Sequence, residues 1–569
     1  MNRELSSTAN RPPSESGSPS LVRSIERDYL LLAGLTLLSL LPFSGKPFHV
    51  DDILFVSTAR HIAEHPFNPY GFNIIWYGFA MPMAEVTKNP PLASYYGALL
   101  GSLAGWSERV WHIGFLLPAV ALTLGTYRLA SHFTRIPLIA AASALLTPVF
   151  MVSATGVMCD VMMLGFWVWA AVFWIDGFNP RRPLYLMTSA LLVAAAALTK
   201  YFAASLILLF LFYSLMRQRR LGSWACYLLP PVVALAGYHW ATQALYGRGL
   251  LWDAAIYAHS RPANQQLPFL AQSLIGLSFA GGCLLSALAL APLLWSRRQM
   301  AIGAVVSGLA TLSVAAGWVH LSTHVTHWRW MEIQLAFFVA GGLSLLALAV
   351  IDVWKNRDAD SSFLTAWMLG TYLFAVYVNW TTNGRSILPM VPAAGILIAR
   401  RLEATQKLVS LARLAVPLGA TGIVALWIAC ADAGWADSAK RAAELIHQKT
   451  RPESGMIWFA GHWGFQYYMQ AYGAHSVDIS NFSSRFHAGD FVVLPKNNTN
   501  VFDIAPEFVT SREVIEVPMP RRAATMCPEL GAGFYSSVWG PLPFSAGPVT
   551  PERYSLLRLG APPATKGSQ

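Results

Sequence analysis

The chain has 569 residues, 55% of them hydrophobic and only 12% charged, with a mean hydropathy of +0.44. That apolar content excludes an ordinary water-soluble protein, because many of the apolar runs reach roughly 17–25 residues, the length that crosses a bilayer core. The formal net charge of +11 does not point to nucleic acid, since the basic residues fall in short clusters between apolar runs, where they set topology and meet anionic lipid headgroups.

The segment 1–27 is rich in Ser, Pro and Arg and has no apolar core, which predicts a disordered cytoplasmic tail. No small-residue cleavage motif follows the first apolar run, so it is expected to remain as an anchor. About thirteen spans follow by length: Tyr29–Phe43, Val110–Leu129, Ile136–Ala154, Val161–Phe178, Leu184–Tyr201, Phe202–Met216, Trp224–Tyr246, Ser273–Trp295, Ala301–His320, Ile333–Trp354, Phe363–Trp380, Ser386–Ala399 and Leu411–Cys430. Basic clusters at Arg128/Arg135, Arg181/Arg182, Arg217/Arg219/Arg220, Arg297/Arg298, Lys355/Arg357 and Arg400/Arg401/Lys407 occupy every second loop, and Arg23 and Arg27 precede the first span. The positive-inside rule makes these the cytoplasmic side. The parity holds only if Pro91–Gly105 stays in the first external loop as a surface or re-entrant helix, and if the chain turns near Lys200.

The predicted architecture has three parts: the tail, a transmembrane domain over 28–430 with a long external loop at 44–108, and an external soluble domain over 431–569. In the last part, Trp435–Thr450 and His462–Ala471 read as helices, and Gly455–Ala460, Asp490–Leu494 and Glu513–Val517 as strands, together a small α/β domain. It carries neither GxGxxG nor GxxxxGK[ST]. The five cysteines show no CxxC spacing, so neither a disulfide framework nor a metal knuckle is expected.

By this parity Asp51, Asp52, Lys88, Asp160, Lys200, Arg329, Glu332 and Arg385 all face the external side. Asp51 and Asp52 open the first external loop. They are either helix-capping or solvated carboxylates, or a base placed to take a proton from an acceptor hydroxyl. Asp160 begins a long apolar span. It is either a carboxylate favoured by the helix dipole or a second acidic group in the same cavity, able with Asp51 to share a divalent cation with a phosphate. Lys200 and Lys88 either snorkel to headgroups or neutralise a phosphate, and the planar fork of Arg385 suits a bidentate phosphate contact. His324 and His327 could ligate a metal only with further ligands.

Five elements in order resemble a known family. His49-Val-Asp51-Asp52 is similar to the first-loop acidic motif of GT-C glycosyltransferases. Asn89-Pro90-Pro91-Leu92 with Tyr95-Tyr96, Cys159-Asp160-Val-Met-Met-Leu, Leu198-Thr199-Lys200 and Gly384-Arg385-Ser-Ile-Leu-Pro-Met-Val-Pro resemble elements of the branch with protein O-mannosyltransferases and the lipid A aminoarabinose transferase. The chain departs from that pattern in having Asp-Asp rather than Asp-Glu, Cys159 before Asp160 rather than Pro, and Tyr201 after Lys200 rather than Gly.

The resemblance implies a GT-C membrane fold of about thirteen helices in a bacterial inner membrane, with a cytoplasmic N-terminus and a periplasmic C-terminal domain. It implies transfer of a sugar from a polyprenyl-phosphate donor to a hydroxyl of a lipid, glycan or protein, with inversion. Asp51, with Asp52 beside it, would supply the base. Lys200, Arg385 and Lys88, with or without a cation held by Asp160, would stabilise the departing phosphate. The rival expectation is a polytopic lipid or polysaccharide transporter or flippase, which would want ionisable groups near mid-span and broken helices in related halves. A non-catalytic scaffold whose external domain binds wall polymer or protein is a third.

Overall fold

The computed structural model describes residues 19–178, 182–260, 266–321, 324–405, 411–481, 486–519 and 522–560. Arg181, Lys407 and most of the predicted tail lie outside them. The first helix begins at Pro19 and runs to Leu40, so ordered structure starts within the segment expected to be disordered.

Among the described residues, seven helices are long and apolar enough to cross a membrane: Glu108–Ala130, Cys159–Gly177, Tyr201–Gln218, Arg297–Ala315, Trp328–Asn356, Ala359–Val378 and Arg413–Thr450. An eighth crossing arises if Pro137–Leu145 and Pro148–Ala154, bent by 64° at a short break, form one span. Pro183–Thr199 and Phe269–Cys283 are apolar but shorter. The helix Leu92–Ala104 covers the predicted non-crossing stretch, and its 13 residues reach only ~20 Å, short of a ~30 Å hydrocarbon core.

Sequence features explain the breaks. Pro148 follows a Thr147 whose side chain caps the new helix by accepting from Phe150 N–H, so the chain restarts in a new direction. At Lys200 the backbone is extended (φ −152°, ψ 126°) between Pro183–Thr199 and the turn Tyr201–Ala204. Elsewhere small residues permit close crossing. A Cβ on Gly281 would sit 1.9 Å from the Phe338 carbonyl oxygen, and one on Gly342 would sit 2.2 Å from that of Leu277.

The helix Leu411–Thr450 has 40 residues, about 60 Å, twice a bilayer core. The boundary expected at 430/431 therefore falls inside a continuous helix. Its C-terminal half supplies Ala442, Ala443 and Ile446 to the core of the C-terminal domain, against Phe459, Phe465, Val493, Ile515 and Leu556. That domain holds a mixed five-stranded sheet. Ile457–Phe459 is parallel to both His475–Ser476 and Phe491–Pro495, while Glu552–Leu559 runs antiparallel between Phe491–Pro495 and Val509–Val517.

The first loop is also built. Asn73–Trp76 and Phe79–Pro82 pair antiparallel through a two-residue turn, Tyr77 (φ 55°) and Gly78 (φ 91°), the left-handed pair that a tight hairpin demands. The hairpin docks on the C-terminal domain: Ile479 N–H donates to the Gly78 carbonyl at 2.8 Å, and Trp76 stacks on His462 at 4.6 Å.

Candidate active site

The doublet sits at a strained corner. Val50, buried and β-branched, has φ 44°, a conformation such residues rarely adopt and one that persists only where surrounding contacts enforce it. The turn sends the two carboxylates in different directions. Asp52, fully buried, accepts from His49 N–H at 2.8 Å and from Val157 N–H at 3.1 Å. Burial pushes its carboxyl up to about 7, against the pull of Lys46 and these two N–H groups. Asp52 thus ties the first loop to the segment entering the Asp160 helix. Asp51, 27% exposed, instead meets the Arg385 guanidinium, with Nη2 to Oδ2 at 3.0 Å.

Asp160 occupies the first turn of Cys159–Gly177, and its buried carboxylate is ion-paired with Lys200 at the break between helices. Arg385 lies on the short helix Gly384–Ile387, capped by the Asn383 side chain, which accepts from Ser386 N–H at 2.8 Å. Its Nη1 lies 2.7 Å from the Met158 sulfur, and its Nε is buried without a hydrogen-bond partner. Arg385 acts electrostatically on both Asp51 and Asp160, so Asp51, Asp160, Lys200 and Arg385 form one alternating cluster.

The helix direction places this cluster at one end of the bundle. Asp160 and Asp176 lie at opposite ends of Cys159–Gly177, about 24 Å apart. Asp176 pairs with Arg128 at 3.1 Å, and the nearby Arg217 pairs with Asp360 at 3.3 Å. Residues from predicted cytoplasmic clusters thus gather away from the acidic doublet.

Lys88 joins the edge of the site through Tyr257. Its ammonium donates to the Glu85 carbonyl at 2.6 Å and lies 5.2 Å from the Tyr257 ring centre. Burial pushes Lys88 down, Asp253 and Glu85 oppose this, and Arg248 adds to it. Arg248 itself bridges Glu85 at 3.0 Å and Asp253 at 2.5 Å. Tyr257 is hydrogen-bonded to Tyr77 of the hairpin turn, and both tyrosines feel the Asp51 charge.

A buried polar network under the cluster was not foreseen. Lys46 Nζ donates to Asp432 at 2.6 Å and to the Thr155 hydroxyl at 3.3 Å. Asp432, fully buried on the long helix, also accepts from Thr525 at 2.7 Å and from the Tyr535 hydroxyl at 3.0 Å. The Tyr535 ring in turn lies 5.8 Å from the Arg385 guanidinium carbon. His49 is pushed down to about 3, mainly by burial, so its 3.8 Å approach to Asp432 is that of a neutral ring rather than an ion pair. A lone lysine in Ser44-Gly-Lys-Pro-Phe and a lone aspartate in Ala431-Asp-Ala-Gly-Trp were the available signals.

A divalent cation shared by Asp51 and Asp160 does not fit this donor set. Each carboxylate already faces a cationic side chain, and among the described residues no group of three or more His, Cys, Asp or Glu side chains is placed to hold a metal. His324 and His327 gain no such set either. His327 N–H donates to the Glu529 carbonyl at 3.2 Å, and the exposed Arg329 and partly buried Glu332 begin the next helix, outside the four-residue cluster.

Fold and site define a polytopic helical membrane protein with charged groups converging at one end of the bundle. Residues 88–240 match the family model described as dolichyl-phosphate-mannose-protein mannosyltransferase, and the match includes Lys88, Asp160 and Lys200. The match covers about a quarter of the chain, and that part resembles the mannosyltransferase family. No curated protein matches it. Among solved structures it is similar to ArnT from Cupriavidus metallidurans bound to undecaprenyl phosphate, with 13% identity, 84% of this chain and 94% of that chain covered, and a TM-score of 0.41. It is also similar to the apo oligosaccharyltransferase of Archaeoglobus fulgidus, with 13% identity, 81% of this chain and 65% of that chain covered, and a TM-score of 0.49.

Proposed function

We propose that the chain transfers a sugar from a polyprenyl-phosphate donor to an acceptor hydroxyl by a single inverting displacement. The reaction takes place on the periplasmic face of a bacterial inner membrane. The carrying observation is the cluster of Asp51, Arg385, Asp160 and Lys200, built from segments far apart in sequence. Asp51 takes the acceptor hydroxyl proton as the acceptor oxygen bonds to the anomeric carbon. The bond from that carbon to the phosphate oxygen breaks, and polyprenyl phosphate leaves with the electron pair. Arg385 and Lys200 stabilise the charge on the leaving phosphate, with Lys88 at the rim, and such charge stabilisation is usually the largest catalytic contribution. The unpartnered Nε of Arg385 leaves a donor for a phosphate oxygen. A phosphate that draws Arg385 toward itself also loosens its hold on Asp51, so donor binding frees the base.

The topology that goes with this reading has about thirteen crossings, the shorter apolar helices included, with the N-terminus cytoplasmic and the sheet domain periplasmic. The alternation of basic clusters supports it. A transporter would place its ionisable groups near mid-span. Here Asp160 stands in a first turn, Lys200 at a helix break and Arg385 on a short capped helix.

The test is mass spectrometry of envelope lipids and glycans from a deletion strain, complemented with wild type or Asp51→Asn. A sugar-bearing species that disappears on deletion and returns only with wild type supports the reading. Full restoration by Asp51→Asn refutes it.

A further inference from the structure

We propose that the cleft in the C-terminal domain beside Trp539 binds an uncharged pyranoside ring of the acceptor. This deepens the transferase reading by making the acceptor a glycan, and it rests on that reading. The cleft has a volume of about 510 Å³, within the range of small-molecule sites, and its walls include Trp539, Asn497, Glu552, Thr550, Lys496 and Arg553.

Its chemistry selects against a charged ligand. Lys496 is paired with Glu529 at 2.7 Å, and Arg553 with Glu516 at 2.8 Å, so neither cation is free for a phosphate or carboxylate. Thr550 donates to the same Glu529 at 3.0 Å. What remains is an indole face and neutral polar groups. Trp539 is half-buried. Asn497 donates to Glu552 at 3.0 Å and to the Met526 carbonyl at 3.3 Å, yet its side-chain oxygen is buried with no partner. A buried acceptor without a donor is costly, and a ligand hydroxyl would supply one. Glu552, nine-tenths buried, is pushed up to about 7 by burial, which brings a carboxyl hydrogen bond within reach at neutral pH. A pyranose has matching parts: an apolar C–H face for the indole and a rim of hydroxyls for the amide and carboxyl.

The cleft is also connected to the doublet. The rings of Trp539 and Trp463 lie 5.8 Å apart, those of Trp463 and Trp435 5.8 Å, and those of Trp435 and His49 4.5 Å. Trp463 holds φ 65°, a conformation a bulky residue rarely adopts, and it stands in the middle of this line. A packed line of aromatic rings therefore connects the Trp539 cleft to the loop that carries Asp51.

The experiment is saturation-transfer NMR on the full chain in detergent, with maltotriose, cellotriose and mannotriose as probes and inorganic phosphate as the charged control. Saturable binding of at least one trisaccharide is expected, retained in Asp51→Asn and weakened about tenfold or more in Trp539→Ala, with Trp539→Phe intermediate. No saturable binding by any of the three, or equal binding by folded Trp539→Ala or Trp539→Phe, overturns the proposal, as does preferential binding of phosphate. A failed titration leaves the transferase reading standing, since that depends on the deletion-strain chemistry.

Discussion

Arg385 bridges Asp51 at 3.0 Å through one guanidinium nitrogen while its Nε remains buried and unpartnered. On the proposed mechanism the pair is a neutralised base beside a phosphate ligand with one donor still unused. Asp51→Asn is expected to lower transfer by about 10²-fold or more, with folding kept because the side chain is partly exposed. Arg385→Lys, which loses the planar fork, should cost about 10²–10³-fold in kcat. Both are read by glycolipid turnover in membranes, alongside melting in detergent.

Asp52 should behave differently from Asp51. Asp52→Ala leaves the His49 and Val157 N–H groups without their acceptor, a loss of about 1–3 kcal/mol for each buried group. Asp52→Asn keeps one acceptor oxygen and should be milder in transfer than Asp51→Asn. Comparison of melting temperatures with turnover separates the two; a reversed ranking in turnover would move the base to Asp52.

The folded Asp52 carboxyl, near 7, lies above its ordinary value of 3.8. Between those values the unfolded chain has released this proton and the folded chain still binds it. The Asp52 contribution to stability therefore falls as pH rises from about 4 to about 7, then levels off. Thermal melts across that range should show wild type losing ground against Asp52→Asn with rising pH. A constant difference between the two would contradict the assignment.

Lys46 and Asp432 form a buried ion pair at 2.6 Å across 386 residues of sequence. Asp432→Ala strands the lysine and removes the acceptor for Tyr535 and Thr525, so a loss of about 3–5 kcal/mol is expected. Lys46→Met with Asp432→Leu removes both charges and should recover part of that loss. A double-mutant cycle by chemical denaturation in detergent measures the coupling.

Gly78→Ala tests the hairpin. Its φ of 91° suits glycine, and an added Cβ would lie 2.6 Å from Ile479 Cδ1. The substitution should cost about 1 kcal/mol or more and loosen the hairpin from the C-terminal domain. Faster hydrogen exchange over residues 73–82 is the readout.

The sequence by itself determined the membrane class, most helix positions and a set of charged residues near span ends that includes the four of the cluster. Apolar length and the placement of charges at span ends are local properties, so Asp51, Asp160, Lys200 and Arg385 stood out before any fold was known. It also marked the strand cores at Ile457–Phe459 and Phe491–Pro495, but not Glu552–Leu559, whose central place depends on pairing with both neighbours. Only the tertiary structure decided the partnerships. It joined Asp51 to Arg385 across 334 residues, turned Asp52 inward, and placed Lys46 under the site with Asp432. The composition change near residue 430 likewise concealed a helix that continues to Thr450, because water and lipid favour different side chains along one unbroken backbone. Burial and ion pairing are set by what a residue meets in space, and neighbours in sequence do not carry that information.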